Sequence, residues 1–229
     1  MDRKESRELC MSNFDKVLKA LNEGNIEEAK TCVRTMEKEA QYVRHLGLNY
    51  VWTLLTYIGK HYGDDEVIKA LRFRHSCQVQ VAERMLGMSP IDAVRFKTSL
   101  HRVHRSKMTL TEEEDRFVLK LDPCNTGGRM LREGLDKPPV NLGKFRKGVP
   151  ESWNKSGVSY YCAHCAVHSI TSVEKGAPHP TWIYKCPENP QDPCYQYYYK
   201  RTEDVPEKYF EELGLKKDPS STKASNKKL

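Results

Sequence analysis

The chain has 229 residues, with 38 Lys+Arg against 31 Asp+Glu and a formal net charge of +7. That length holds one or two domains and enough chain to bury a core, and 30% charged with 38% hydrophobic residues is far from a disordered composition. No apolar run nears the ~20 residues that span a bilayer, and the opening MDRKESRELC has no apolar segment behind its charges. Membrane-spanning and exported proteins are thus excluded from the expectation, and a cytoplasmic chain is expected.

The first hundred residues read as successive helices. Leu9, Phe14, Val17, Leu18 and Leu21 recur at helical spacing, and Gly24 is placed to stop that helix. Asn25 can cap a second helix whose apolar face is Ile26, Ala29, Val33, Met36, Ala40 and Val43. The segment GLNYVWTLLTYIGKHYG, residues 47–63, is richer still in apolar side chains and is expected as a separate, central and most buried helix. Asp64 can begin a fourth, running through Val67, Ile68 and Leu71 towards Met85. Ser89-Pro90-Ile91-Asp92 opens a fifth with a cap residue, a first-turn proline and an acid.

Near Thr109 the pattern changes. Thr111 to Asp115 reads as an acidic turn, after which Phe117, Leu119 and Leu121 alternate with polar or smaller neighbours as in a half-buried strand. A Gly/Pro-rich stretch follows from 124 to 157, then two further short strands at 181–185 and 195–200, the latter with Tyr195, Tyr197 and Tyr199 on one face. The expected fold class is α+β. An all-helical bundle over 1–108 precedes a smaller loop-rich α+β module over 109–213, which carries a Cys-rich metal site. Residues 214–229 form a disordered basic tail. Four of the seven surplus charges sit in that tail, where Lys216, Lys217, Lys223, Lys227 and Lys228 face only Asp218. A nucleic-acid domain gathers its basic residues on a folded face with aromatics to stack bases; nucleic acid is therefore the minor reading of the charge.

Cys10, Cys32 and Cys77 stand singly in helical segments, whereas Cys124, Cys162, Cys165, Cys186 and Cys194 crowd the second half. In a reducing compartment such a cluster points to metal or thiol chemistry before a disulfide framework. The sharpest motif is YYCAHCAVH, where Cys162 and Cys165 on a tight turn can address one cation. Thioredoxin-like pairs share that spacing, but in a βαβ setting at a helix N-terminus, which this segment does not suggest. Cys124 and Cys194 each follow Asp-Pro, a stiff presentation. Cys124, Cys162, Cys165 and Cys194 are the expected ligands, with Cys186, His164 and His168 as substitutes. Zinc fits this set better than an iron–sulfur cluster, whose common spacings are absent, and iron is the second choice. Four protein ligands would make the metal structural; three would leave room for an activated water.

Asn125-Thr126-Gly127-Gly128-Arg129 is a second feature: Gly127 and Gly128 can form an amide nest for an anion, with the Arg129 fork beside it, or simply a turn into a short helix. His101 and His104 stand three apart, but a solvated basic face accounts for them. No G-x-S-x-G, H-E-x-x-H or G-x-G-x-x-G is present.

A helical first half with an aromatic helix ending in Tyr62-Gly63, a strand running into LDPCNTGGRM, then YYCAHC and a late Pro193-Cys194 before an aromatic strand together resemble the L-2-amino-thiazoline-4-carboxylic acid hydrolase-like family of bacterial proteins, over about residues 22–200. The resemblance implies ring-opening hydrolysis of a small heterocyclic amide-like bond and assigns no catalytic residues. The leading expectation is a metal-dependent hydrolase-like protein acting on a small carboxylate-bearing molecule. Zinc supplies the activated water, Gly127, Gly128 and Arg129 hold the carboxylate, and His164 or His168 moves protons. The competing expectation is a non-catalytic ligand- or partner-binding protein stapled by a four-cysteine zinc.

Overall fold

A computed structural model of the chain describes residues 10–77, 88–122 and 124–217. The described elements are, in order, α1 (Asn13–Asn22), α2 (Ile26–Tyr62), α3 (Asp64–Ser76), α4 (Pro90–Val103), β1 (Met108–Glu112), β2 (Arg116–Leu121), α5 (Gly127–Arg132), a 3-10 turn (Pro150–Ser152), α6 (Ala163–Glu174), β3 (Ile183–Lys185), β4 (Cys194–Tyr199), a second 3-10 turn (Thr202–Asp204) and α7 (Lys208–Glu211). Helices together with one four-stranded antiparallel sheet, ordered β1-β2-β4-β3, make the fold α+β.

The local reasons are those the sequence offers. Ser12 and Ser89 cap α1 and α4, accepting from the amides of Asp15 and Asp92. Asn25 Oδ1 accepts from the Glu28 amide at the start of α2, and Gly24 and Gly63 turn the chain at φ +73° and +92°. Two expected helices are one: α2 passes through Gly47 without a break, because one glycine costs about 1 kcal/mol against alanine and does not end a long helix. Nor is its second half the most buried segment. Trp52, Leu55 and Thr56 are buried, but Tyr50, Tyr57 and Tyr62 are exposed.

The described residues fall into two compact units, one ending at Asn49 and the other beginning at Tyr50. The sequence expectation put its boundary at 108/109. The difference arises because α3 packs on α6 and α4 packs on β2 and β4, so these helices share the unit of the sheet. In that unit Phe117, Leu119 and Leu121 point inward from β2, and the register sets Tyr198, Gln196 and Cys194 of β4 opposite them. Ala93 and Val94 from α4, Ala166 and Ile170 from α6, and Trp153, Trp182 and Tyr184 complete this core. Each large apolar side chain in this core contributes roughly 1.5–3 kcal/mol by leaving water.

The end of the chain departs from the expected tail. Leu213 is buried, Leu215 packs against both clusters of the core, and Lys217 Nζ donates to the carbonyls of Glu203 and Val205. The expected disorder therefore does not begin at 214; residues 218–229 lie outside the described residues, as does the expected run of the fourth helix through 78–87.

Candidate functional site

Four elements bring the five clustered cysteines to one place. Cys162 is the N-cap of α6, and Cys165 follows one turn on, so the two share a face of its first turn. Cys194 opens β4 on the inward face, opposite Leu121. Cys186 continues the alternation of Trp182 and Tyr184 just past β3. Cys124 leads into α5, its Sγ 3.2 Å from Thr126 Oγ1. All five line one cavity of about 40 Å³, together with Gly127, Gly128, His164, Tyr161 and Tyr184. Cys186, expected only as a substitute, is thus an equal member of the set.

Gly127 and Gly128, expected as an anion nest, stand where cysteine side chains come close. A Cβ on Gly127 would lie 2.5 Å from Cys162 Sγ, and one on Gly128 would lie 3.1 Å from Cys124 Cβ. The glycines make room for cysteine side chains. Arg129, expected to hold a carboxylate, is buried and ion-paired with Glu133 one turn on, and is not among the residues lining the thiol cavity.

The electrostatics separate the thiols. A hydrogen bond from Cys186 lowers the Cys162 thiol below its ordinary range, aided by Ser159, while the same bond and burial push Cys186 well up. Burial likewise raises Cys165 and Cys194. Burial lowers His164 to about 3, so its ring is neutral. Its Nδ1 meets the carbonyl of Tyr161, which only an N–H can satisfy, so the lone pair is on Nε2, 3.5 Å from Cys165 Sγ. That is the tautomer a histidine ligand needs, with a carbonyl fixing its far side.

His168 lies elsewhere. Its ring stands edge-on to His75, 3.9 Å between centroids, and to Trp182, and burial drives its pKa well below the ordinary value. It is not part of the thiol cavity's wall, so the expected proton-moving role does not follow from its position. His101 is not on a solvated face either: it is buried, bonded to Gln196 Nε2 at 2.8 Å. The sequence reasoning missed Lys97. It occupies the inward stripe of α4 with Ala93, Val94 and His101, its ammonium 4.3 Å from the Trp182 ring centre and 5.3 Å from that of Tyr184. Burial lowers its pKa to about 8 against the pull of Cys165 and Cys194. A charged residue inside an apolar helical stripe was the available signal.

The cavity adjoins a larger cleft of about 690 Å³, whose wall shares Cys162, Cys186, Trp153 and Tyr184 with it and adds Lys144, Lys155, Lys185 and Lys208 against Glu188 and Glu212. Lys144 is paired with Asp136 and Lys155 with Glu188, while Lys208 lies 5.1 Å from the centre of the Tyr209 ring.

A soft cation suits this donor set of thiols and one imidazole. The sulfurs are nevertheless not gathered as a ready site: among the described residues no three His, Cys, Asp or Glu side chains surround one point at metal-holding positions. The four cysteines expected as ligands share the wall of one cavity without forming such a group. The Cys162/Cys165 pair does stand at a helix N-terminus, but the sheet around it is antiparallel, not the βαβ setting of thioredoxin-like pairs. No described helix is long and apolar enough to cross a membrane. No protein-family model matches the chain, and no curated protein or solved structure matches it.

Proposed function

We propose that this protein binds a soft divalent metal, zinc before iron, through the thiol cavity, and acts hydrolytically on a small carboxylate-bearing molecule held in the adjoining cleft. The observation that carries the reading is the shared wall: Cys162 and Cys186 belong to both spaces, so an ion on their sulfurs would face the cleft. Cys162 and Cys165, with Cys186, Cys194 or His164 Nε2 as the third donor, would hold it and leave a fourth position open to the cleft. Zinc there would supply Lewis acidity to the oxygen of a carbonyl group in the cleft, or to the water that hydrolyses it. The lysines of the cleft attract and orient a carboxylate, and Trp153, Tyr184 and Tyr209 offer flat walls that exclude water from a small ring. The family resemblance in LDPCNTGGRM and YYCAHC points to the same class of reaction.

Cobalt titration of the metal-free protein tests this. Cobalt should develop a thiolate-to-metal charge-transfer band that Cys162→Ser or Cys165→Ser abolishes and Cys10→Ser or Cys77→Ser, in the helical segments, leaves intact. Absence of the band in the parent protein would overturn the reading. A second reading, a redox dithiol, is favoured by Cys162 and Cys186 sharing one cavity wall, with the Cys162 thiol held below its ordinary range. Recovery of a Cys162–Cys186 disulfide in place of metal would select it.

A further inference from the structure

We propose that Lys97 is the counter-charge of the thiol cavity, an ammonium built into the core to balance the thiolate created when a metal binds; the inference rests on the metal reading above. The placement is unusual for a lysine. It sits at 7% exposure on the inward stripe of α4, where Ala93 and Val94 are core residues. Lysine is almost never buried unless something pairs with it. Among the described residues no carboxylate is ion-paired with Lys97; the titratable neighbours whose charge would favour its own are the thiols of Cys165 and Cys194, and Arg74 opposes it. Trp182 and Tyr184 present their ring faces to it, which holds the ammonium without neutralising it. Tyr184 is itself a wall of the cavity, so the charge lies one side chain behind the sulfurs.

The chemistry on the other side of that wall supplies what is missing. Thiols are neutral and must each lose a proton to bind a metal. A divalent ion held by four thiolates leaves two negative charges in a mostly apolar cavity, and by three leaves one. A buried cation nearby lowers that cost as an opposite charge does anywhere in a low-dielectric interior. In the metal-free state the same ammonium has only neutral thiols beside it and costs stability. Lys97 therefore makes two demands of opposite sign, one on the empty protein and one on the loaded protein. Packing alone would give both the same sign.

The test compares the parent chain with Lys97→Met, which keeps volume and removes charge, and Lys97→Arg, which keeps charge. Zinc affinity is read by competition with a chromophoric chelator, and melting temperature is read with and without zinc. Lys97→Met should melt higher than the parent when metal-free yet bind zinc roughly 10–100-fold more weakly, the range for loss of an outer partner of a metal site. Lys97→Arg should retain most of the affinity. Equal zinc affinity in Lys97→Met and the parent would overturn the inference while the metal reading stands, and so would a metal-free Lys97→Met that melts lower or fails to fold. A parent protein that binds no zinc would overturn both.

Discussion

At Gly127 the side chain that is absent matters most, since its place is taken by Cys162 Sγ at 2.5 Å from where a Cβ would be. Gly127→Ala lies in a helix and would gain propensity, yet the sulfur and the Tyr161 ring behind it leave no room. Overpacking should dominate and lower stability by about 1–3 kcal/mol, read as a fall in melting temperature of the metal-free protein. An unchanged or raised value would show that the thiols are not packed as described. The glycine pair is legible in the sequence as a special place, but its reason is not. A nest and a close approach demand the same residue, and only the position of a sulfur well along the chain separates them. Arg129 illustrates the same limit. Its fork suits a carboxylate, and the carboxylate it meets is Glu133 of its own chain. The gathering of the cysteines is legible, because C-x2-C and two Asp-Pro-Cys loops are local signals. Lys97 is not, because only the packing of α4 on the sheet turns an ordinary lysine inward.

Among the elements, α2 contains a matched pair of glycines whose substitutions should differ in sign. Gly47 has nothing within 4 Å of the place an alanine methyl would take, whereas at Gly59 a Cβ would collide with the Tyr160 ring. Gly47→Ala should therefore raise stability by about 0.5–1 kcal/mol through helix propensity, while Gly59→Ala should lower it despite the same propensity gain. Thermal melts of both variants check this, and equal shifts would contradict the packing of Tyr160 on the helix. Tyr160 is fixed there by its hydroxyl, which donates to Asp64 Oδ1 at 2.6 Å, and by Phe145, edge-on at 4.9 Å. Caps, stops and the β2 alternation are readable because each depends on neighbours within a few residues. Strand β1 is harder to read: Met108 and Leu110 alternate with Thr109 and Thr111, but the run is short and exposed over most of its length, and its partner β2 makes it a strand. Helix α6 also escapes the sequence reading as an element. Ala163, Ala166, Val167 and Ile170 do recur at helical spacing, but cysteines and histidines among them draw attention to chemistry and away from periodicity.

For the whole molecule, buried histidines set the response to acid. Burial lowers His75, His101 and His179 to about 4 each, against about 6.5 in an unfolded chain. The unfolded chain then takes up protons first as pH falls, so the stability these groups leave intact above about 6.5 is lost progressively between about 6.5 and 4. Melting temperature should be flat from these groups above neutrality and drop through that window; His101→Gln should shrink the drop, and a drop of the same size would remove His101 from the account. The end of the chain makes a further prediction at this scale. Truncation after Leu213 removes Leu215 from the core and the two carbonyl contacts of Lys217, so it should lower the melting temperature by a few degrees, where a tail without contacts would have no effect. The central claim is that five thiols around one cavity serve a metal. The most direct measurement is metal content of the purified protein, combined with X-ray absorption at the metal edge. The account predicts about one equivalent of zinc or iron per chain, with a first shell of mostly sulfur at ~2.3 Å. Metal-free protein with all five thiols reactive, or a bound ion ringed by oxygen, would contradict it.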